Sequence, residues 1–589
     1  MLRQYFISTL ATITGMWITL GVLFFSSFII LAAVGASSTS EEIVDISSNS
    51  ILHIKLEGEA VERFRTYNFI DEVQGTAVNI FPLNETIAAI KEAAVNSNFS
   101  GIFIEANGLS AAPASLAEIR QALEEFKKSG KWIVAYSDGY TQGDYYIASC
   151  ADEIDVNPIG AIDLHGLSST VLYFKDLMDN VGVEMQVFKV GTYKSAVEPF
   201  MLSEMSDANR EQINTYLGTI WDYTVAGISE GRNIPADSVR SYATNLASLD
   251  DTKSYLRRCL ANDAVYRHEA ISSLKNRVGI SEDEDLNLVT PHQLYCSVDI
   301  PHTAQSENKI AVLYAFGDIV DSGSEGIVGS KVVEQIEDLI ENDNIDGLVF
   351  RVNSGGGSAF ASEQIWEAIE RFKKTERPVY VSMGDYAASG GYYISCGADK
   401  IFANPTTLTG SIGIFGMLPC FENVMKNKIG INPQSVTTNE NANFSTLEKF
   451  TPLQARKMQA HVEQGYELFT TRCAEGRNME VDDIKAIAEG RVWDGETALK
   501  LGLVDSLGSL SDAVVAMADA LDFGNDYQVI EYPKAKDSFW EIIEEIQENS
   551  TQSAMKETLG EYYDTYMQIK QIKEMNPLQC RMDKVIIKY

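Results

Sequence analysis

The sequence predicts an α/β protein made of two tandem copies of one domain, preceded by an apolar N-terminal segment. Apolar runs of four to six residues alternate with segments of helical periodicity, which indicates strands buried on both faces between helices. The same series of motifs occurs twice, about 246 residues apart. A stretch near the N-terminus is uncharged over a length that can cross a bilayer. With 589 residues, of which 45% are hydrophobic, the chain can bury several cores.

Residues 1–40 are predicted to be a membrane anchor. No charge occurs from Gly15 to Ala36, and these 22 residues exceed the roughly 20 that a transmembrane helix needs. Arg3 precedes the stretch, and Glu41 follows it with further acidic residues. The positive-inside rule then leaves the N-terminus in the cytoplasm and the bulk of the chain outside. The alternative is a cleaved signal peptide, because AVGA-S resembles a small-residue cleavage site.

Residues 41–290 and 305–535 are predicted to be the two related halves. Each half opens with a strand, continues with a helix, a buried strand and a second helix, and reaches a third strand before an aromatic motif. This motif reads YYIASCAD in the first half and YYISCGAD in the second, at matching distances from the strands, which argues against chance similarity. The predicted strands are 50–62, 101–108 and 131–139 in the first half, and 309–320, 347–358 and 377–385 in the second.

Three further regions have patterns of their own. A polar linker between the halves is predicted at about 275–308. Residues 203–275 are mostly helical in pattern and resemble a connecting arm of the first half. Residues 536–589 are predicted to be a helical segment for packing or oligomerisation, and its acidic first turns disfavour a lipid-surface role.

The composition excludes some classes of function. Lys and Arg number 47 against 83 Asp and Glu, a formal net charge of −36, so the surface repels phosphate backbones and no nucleic-acid partner is expected. The six histidines show no metal-ligand spacing, and we expect neither a metal nor another cofactor. The seven cysteines form no CxxC pair and are predicted to be mostly buried small side chains, with at least one free thiol.

Two glycine-rich turns in the second half are candidates for chemistry. Residues 353–358 read NSGGGS between a buried strand and a helix, where glycines let backbone N–H groups approach a ligand. Residues 387–392 read AASGGY, which predicts that the hydroxyl of Ser389 stands at a tight strand-to-helix turn. This arrangement is typical of a nucleophile elbow, although the GxSxG motif itself is absent. One N–H donor from each turn could form an oxyanion hole.

A serine nucleophile needs a base, and the candidate is Lys194. No histidine lies near either turn in sequence, although distant residues could meet in space. A lysine is a base only when neutral, and lowering its pKa from about 10.4 to 7 costs roughly 4.6 kcal/mol, which burial can supply. Lys194 has aromatic and apolar neighbours in FKVGTYKSAVEPF. The first half has no serine at its turn and the second half has NENAN where the lysine would be, so each half would supply one partner.

Three segments carry a family resemblance. GTYKSAVEPF, AASGGYYIS and ANPTTLTGSIGIFG closely resemble the signal peptide peptidase A (protease IV) family in its long, duplicated form, and the likeness covers essentially the whole chain. The resemblance implies two tandem crotonase/ClpP-like domains of repeated ββα units and a serine endopeptidase with a Ser–Lys dyad. It implies Ser389 as the nucleophile and Lys194 as the general base, which then protonates the leaving amine.

The resemblance also implies the oxyanion hole. Its donors would be the backbone N–H of Gly390 and one N–H of Gly356 or Gly357. The family usually has proline at the first glycine position of NSGGGS, where this chain has Gly355. This departure loosens the loop and leaves the choice of the second donor open, but it removes no N–H group.

Partners and location follow from the same resemblance. It implies a bowl-shaped homotetramer with its sites in a concave chamber facing the membrane, and cleaved signal peptides or other unfolded apolar peptides as substrates. It places a single-pass protein in the bacterial inner membrane with the catalytic part on the periplasmic side. Two other classes of protein stay open: an acyl-CoA enzyme of the crotonase fold, disfavoured by the extracytoplasmic location, and a non-catalytic membrane scaffold.

Overall fold

The chain divides into two compact units, and most of the described residues belong to the second. The computed structural model describes residues 12, 14–22, 44, 46–63, 79–297, 306–323, 326–534, 578–583 and 587–588. The first unit comprises residues 1–45, 65–77 and 535–566. The second unit comprises residues 46–64, 78–534 and 567–589.

The predicted anchor, residues 1–40, lies for most of its length outside the described residues. Residues 14–22 are helical. No helix in the described part of the chain combines the length and apolar character needed to cross a membrane.

The first half of the second unit contains a parallel sheet with helices around it. Its strands follow the order β2-β1-β3-β4-β5-β8, and β9 lies beside the start of β1. The strands are β1 Ser50–Val61, β2 Ile80–Pro82, β3 Phe99–Ser110, β4 Trp132–Tyr140, β5 Glu153–Ile162, β6 Ser168–Ser169, β7 Glu184–Lys189, β8 Asp263–Ala264 and β9 Leu288–Val289. The helices are α1 Leu83–Val95, α2 Pro113–Lys127, α3 Gln142–Ala148, α4 Lys175–Val181, α5 Glu198–Met201, α6 Asp207–Arg232, α7 Ala236–Thr244, α8 Thr252–Arg257, α9 Arg267–Val278 and α10 Pro291–Ser297.

The second half contains a second, largely parallel sheet in the order β19-β17-β15-β13-β10-β21, with β16 beside β15. The strands are β10 Lys309–Phe316, β11 Ile319–Val320, β12 Ile327–Val328, β13 Gly347–Ser354, β14 Gly356–Ser358, β15 Val379–Ala388, β16 Lys400–Ala403, β17 Leu408–Gly410, β18 Phe415–Cys420, β19 Val492–Asp494, β20 Ser506–Leu507, β21 Gln528–Tyr532, β22 Leu578–Arg581 and β23 Ile587–Lys588. The helices are α11 Gly329–Glu341, α12 Ala359–Lys373, α13 Gly390–Tyr393, α14 Pro452–Arg477, α15 Val481–Ile487, α16 Gly495–Lys500 and α17 Leu510–Ala520.

The two halves repeat one architecture. In the first half β1, β3 and β4 are adjacent and parallel, and in the second half β10, β13 and β15 are. The predicted α/β repeat is therefore confirmed, and so is the helical pattern of residues 203–275, which form α6 to α9. The strands read as continuous apolar runs because both faces are covered: along β13, Leu348 and Phe350 join one buried cluster while Val349 joins another.

Strands from both halves meet in a third sheet, in the order β12-β11-β14-β22-β18-β7. β7 of the first half pairs antiparallel with β18 of the second half, from Glu184 opposite Cys420 to Lys189 opposite Phe415. This pairing carries the chain segment after β7 into the second half.

A buried ion network also joins the halves. The guanidinium of Arg351, on β13, is 2.9 Å from a carboxylate oxygen of Glu62 and 2.9 Å from one of Glu118, which both belong to the first half. Arg351 is only 1% exposed. Nearby, the backbone N–H of Ser115 donates to the Asp385 carboxylate over 2.8 Å. Because buried charges are stable only when paired, these contacts fix the two halves against each other.

Two regions differ from the prediction. Part of the expected linker is folded: β9 pairs with β1, and α10 buries Leu294, because these apolar side chains find cover on the first half. Within the predicted C-terminal helical segment, the helical assignment is wrong for Leu578–Arg581, which form strand β22. Their partners are strands more than a hundred residues away in sequence, so tertiary pairing overrides the local helical pattern.

Candidate active site

Ser389 lies at the turn between β15 and α13, as the sequence predicts. Its backbone has φ of 56° and ψ of −113°, a conformation that residues with a side chain rarely adopt. The turn is held by a hydrogen bond from the Ser389 N–H to the carbonyl oxygen of Gly410, 2.8 Å away. Strain of this kind at a strand-to-helix turn aims a nucleophilic hydroxyl in hydrolases.

Lys194 reaches the second half on the loop that follows β7. The loop docks on residues 489–491, where the Tyr193 N–H donates to the carbonyl oxygen of Glu489 over 3.0 Å. Gly490 allows this close approach, because a Cβ atom there would lie 2.7 Å from Lys194 N, Cα and Cβ. No sequence pattern points to Gly490, since its role depends on a contact between residues that are far apart along the chain.

The structure brings Lys194 and Ser389 together in the interior. The Nζ atom of Lys194 is 2.7 Å from Ser389 Oγ, 3.0 Å from the carbonyl oxygen of Ser411 and 3.1 Å from Ser411 Oγ. Lys194 is 1% exposed and Ser389 is fully buried. Burial disfavours the charged ammonium and lowers the pKa of Lys194 to about 7. A large fraction of the amine is therefore neutral near pH 7 and can accept a proton.

Ser411 completes the surroundings of the amine, and the sequence did not single it out. A neutral amine has two N–H donors and one lone pair, so it can donate to both oxygens of Ser411 and accept the proton of Ser389. The backbone of Ser411 is itself fixed by a hydrogen bond from its N–H to the Arg491 carbonyl oxygen, 2.7 Å away. Ser411 lies within ANPTTLTGSIGIFG, so its place in a family-like motif is the signal that could have indicated it.

The two glycine-rich turns pack against each other. A Cβ atom on Gly356 would lie 2.7 Å from the backbone nitrogen of Gly390, and one on Gly390 would lie 2.8 Å from Ser362 Oγ. The N–H of Gly356 already donates to Ser354 Oγ over 3.1 Å. Of the three predicted oxyanion donors, Gly356 therefore has its N–H engaged within its own turn.

Strand β22 lies beside this constellation. It runs between β14 and β18 and is antiparallel to both. Cys580, at its centre, is fully buried opposite Gly357. Burial raises the pKa of the Cys580 thiol to about 12 although the nearby Lys194 acts in the opposite direction.

The corresponding turn of the first half is filled by its own side chains. The carboxylate of Asp144 accepts hydrogen bonds from the N–H groups of Gly108 (3.0 Å) and Leu109 (3.1 Å). The side-chain oxygen of Gln142 accepts the N–H groups of His165 and Gly166, each over 2.9 Å. These four backbone donors are thus satisfied by side chains of the same half.

A hydroxyl against a buried amine whose pKa is lowered to about 7, with two glycine turns beside it, is typical of a hydrolase that uses serine as nucleophile and lysine as base. Comparison with known proteins agrees with this class. Residues 125–281 and 371–524 match the model of peptidase family S49.

Named relatives extend over most of the chain. Protease 4 of Haemophilus influenzae is 36% identical over 507 residues, which cover 83% of this chain and 82% of that protein. Protease 4 of Salmonella typhi is 37% identical, with coverage of 74% and 72%. A chloroplastic serine protease SPPA of Arabidopsis thaliana is 30% identical, with coverage of 72% and 63%. The chain belongs to peptidase family S49, and it is a serine-type peptidase.

Proposed function

We propose that this chain is a membrane-anchored endopeptidase in which Ser389 and Lys194 form the catalytic dyad. The observation that carries the proposal is the 2.7 Å separation of Lys194 Nζ and Ser389 Oγ, with the amine buried and its pKa lowered to about 7. Each half of the chain supplies one member of the dyad, so activity requires both.

The reaction follows from the geometry. The neutral amine of Lys194 takes the proton of Ser389 as the Ser389 oxygen attacks the carbonyl carbon of the scissile peptide bond. The N–H of Gly390, with that of Gly357 or Gly356, stabilises the oxyanion of the tetrahedral intermediate. Lys194 then gives its proton to the leaving amine, which leaves an acyl-enzyme ester. Water attacks this ester, again with Lys194 as base, and the acid product departs with Ser389 restored.

The substrate class is an extended peptide. Strand β14 carries the glycine turn that packs beside Ser389, and main-chain hydrogen bonds to strands of the third sheet would hold an extended substrate. The resemblance to signal peptide peptidase A favours cleaved signal peptides and other unfolded apolar peptides. These are released at the membrane, where an anchor in residues 1–40 would hold the enzyme.

The wider organisation belongs to the same proposal. The halves, 41–290 and 305–535, are crotonase/ClpP-like domains, and residues 536–589 form a C-terminal extension. The protein is a homotetramer in the bacterial inner membrane with the catalytic part on the periplasmic side. The duplicated match to the S49 model supports the part of this organisation that concerns the two related halves.

A fluorophosphonate probe tests the dyad directly. We expect the probe to label Ser389 in the wild-type chain, and we expect no labelling in Ser389→Ala. Lys194→Ala should lose labelling while its thermal unfolding midpoint shows that the chain is folded. Unchanged labelling of a folded Lys194→Ala variant would contradict the dyad, and labelling of another residue would identify a different nucleophile.

A further inference from the structure

A glutamine of helix α6 contacts the loop that carries Lys194 on both sides of the lysine. The Nε2 atom of Gln212 donates to the carbonyl oxygen of Tyr193 over 3.2 Å and to Ser195 Oγ over 3.0 Å. Gln212 is 2% exposed, so water has little access to these hydrogen bonds. Since Tyr193 and Ser195 flank Lys194 in the chain, one side chain holds the loop before and after the proposed base.

The side-chain oxygen of Gln212 binds a strand of the second half. It accepts the backbone N–H of Val492, the first residue of β19, over 3.1 Å. Because a backbone N–H can only donate, the amide oxygen has to face β19 and the amide nitrogen has to face the loop that carries Lys194. Asn209 Oδ1, on the same helix, lies 2.9 Å from Nε2 and further fixes the side chain. The amide therefore joins the loop to β19 in one defined orientation.

Strand β19 connects this contact with the two serines of the site. The first residue of β19 pairs with Gly410, whose carbonyl oxygen accepts the N–H of Ser389 over 2.8 Å. The carbonyl oxygen of Arg491, which directly precedes β19, accepts the N–H of Ser411 over 2.7 Å. Gln212 therefore fastens the loop that carries the amine to the same backbone that holds its hydroxyl partners.

The amine of Lys194 depends on this loop staying closed. Burial is the first cause of the lowered pKa of Lys194. A loop that opens slightly admits water, which favours the charged ammonium and raises the pKa toward its ordinary value of 10.5. The same opening lengthens the 2.7 Å contact between Lys194 Nζ and Ser389 Oγ.

We propose that Gln212 is a positioning residue for the base: it holds the loop that carries Lys194 against β19, so that the amine stays buried beside Ser389. The proposal rests on the proposed function, because it requires Lys194 to be the base. Gln212 contacts neither the amine nor the hydroxyl in a hydrogen bond, so it acts through the loop and takes no part in the chemistry. Helix α6, which belongs to the connecting arm of the first half, thereby contributes to the site.

The test is the rate at which a fluorophosphonate labels Ser389 in the full-length chain, measured from about pH 5 to about pH 10. Gln212→Met keeps the length of the side chain but has no N–H donor and only a weak acceptor. We expect the midpoint of the rate profile to rise by about one pH unit, so that labelling at about pH 6 is about tenfold slower than in the wild type. On the plateau at high pH, where the amine is neutral in both chains, the rates should agree within about twofold.

Gln142→Met is the matched control. Gln142 is also buried, and its side-chain oxygen accepts the backbone N–H groups of His165 and Gly166, each over 2.9 Å, within the first half. Both variants lose buried hydrogen bonds and should lower the thermal unfolding midpoint to a similar extent. Only Gln212→Met should shift the pH profile of labelling. Equal profiles in the wild type and Gln212→Met, or equal shifts in the two variants, would overturn the positioning role.

Two further variants keep the result interpretable. If Gln212→Met does not fold, Ser195→Ala decides the question, because it removes one of the two loop acceptors and should raise the midpoint by several tenths of a pH unit. An unchanged midpoint in Ser195→Ala would then count against the proposal. Lys194→Ala separates a failure of the dyad from a failure of this proposal. Labelling that persists in folded Lys194→Ala contradicts the dyad, whereas labelling that needs Lys194 and ignores Gln212 contradicts the positioning role alone.

Discussion

Burial is the main cause of the lowered pKa of Lys194. Its neighbours are the oxygens of Ser389 and Ser411, and the removal of water from around the amine lowers its pKa from 10.5 to about 7. The sequence indicated this residue through its apolar neighbours. It could not indicate the extent of burial, because atoms of both halves surround the amine.

The lowered pKa predicts how activity depends on pH. Below about pH 7 Lys194 carries a proton and cannot act as a base, so kcat/KM should fall about tenfold for each pH unit. Above that pH the amine is neutral and activity should reach a plateau. The measurement is the pH profile of kcat/KM with a peptide that has no titratable group. A midpoint near the pKa of an exposed lysine, about 10.4, would contradict a buried base.

Ser411 should be a positioning residue for the amine. Ser411→Ala removes one hydrogen-bond partner, worth about 1 kcal/mol, and should lower kcat by about five- to tenfold with little change in KM. The matched control is Ser435→Ala, because Ser435 is exposed and lies outside the dyad. If Ser411→Ala and Ser435→Ala have the same kcat, Ser411 does not position the base.

At the scale of elements, the conformation of a loop depends on the residues against which it packs. The turn at Ser389 follows from a short pattern of serine and glycines after a buried strand, and the sequence predicted it. The loop that carries Lys194 depends on the pairing of β7 with β18 and on close contact with residues 489–491. Neither the strand pairing nor the contact with residues 489–491 can be predicted from the local periodicity of the sequence.

A substitution at Gly490 tests whether the loop that carries Lys194 has to pack closely against residues 489–491. Gly490→Ala places a methyl group 2.7 Å from the Lys194 backbone, and the residue has φ of 80°, so the loop must shift. We expect kcat/KM to fall by about a hundredfold while the unfolding midpoint falls by only a few degrees. Gly524→Ala is the control, because Gly524 also has a positive φ but a methyl group there would meet nothing within 4 Å. Equal activity losses in the two variants would show a general effect of backbone strain.

At the scale of the whole molecule, the two halves act as one body. The contact between Lys194 and Ser389 spans the halves, and the same boundary is crossed by the pairing of β7 with β18 and by the ion network around Arg351. In the first half, the carboxylate of Asp144 occupies the corresponding turn, while Lys194 of that half reaches Ser389 of the second. The proposed dyad is therefore divided between the two halves.

A substitution at Arg351 tests whether the buried ion network stabilises the contact between the two halves. Arg351→Met leaves Glu62 and Glu118 buried without their cation, and should lower the free energy of unfolding by about 3–5 kcal/mol. The control is Arg371→Met, because Arg371 forms partly exposed ion pairs with Glu337 and Glu367 and should cost less than about 1 kcal/mol. Urea unfolding at pH 7 measures the free energy of unfolding of both variants. A loss below about 1 kcal/mol for Arg351→Met would mean that the network does not hold the halves together.

The sequence by itself determined the duplicated α/β architecture, the serine turn and the glycine loop, because these depend on residue type and spacing over short stretches. It offered Lys194 as the candidate base, and the family resemblance supplied its role. Only the tertiary structure decided that Lys194 meets Ser389, that Ser411 and Gly490 contact the lysine, and that Leu578–Arg581 form a strand between β14 and β18. These features arise from pairing and burial between segments far apart in the chain. The contacts that stabilise these features join atoms of segments that no local sequence pattern brings together.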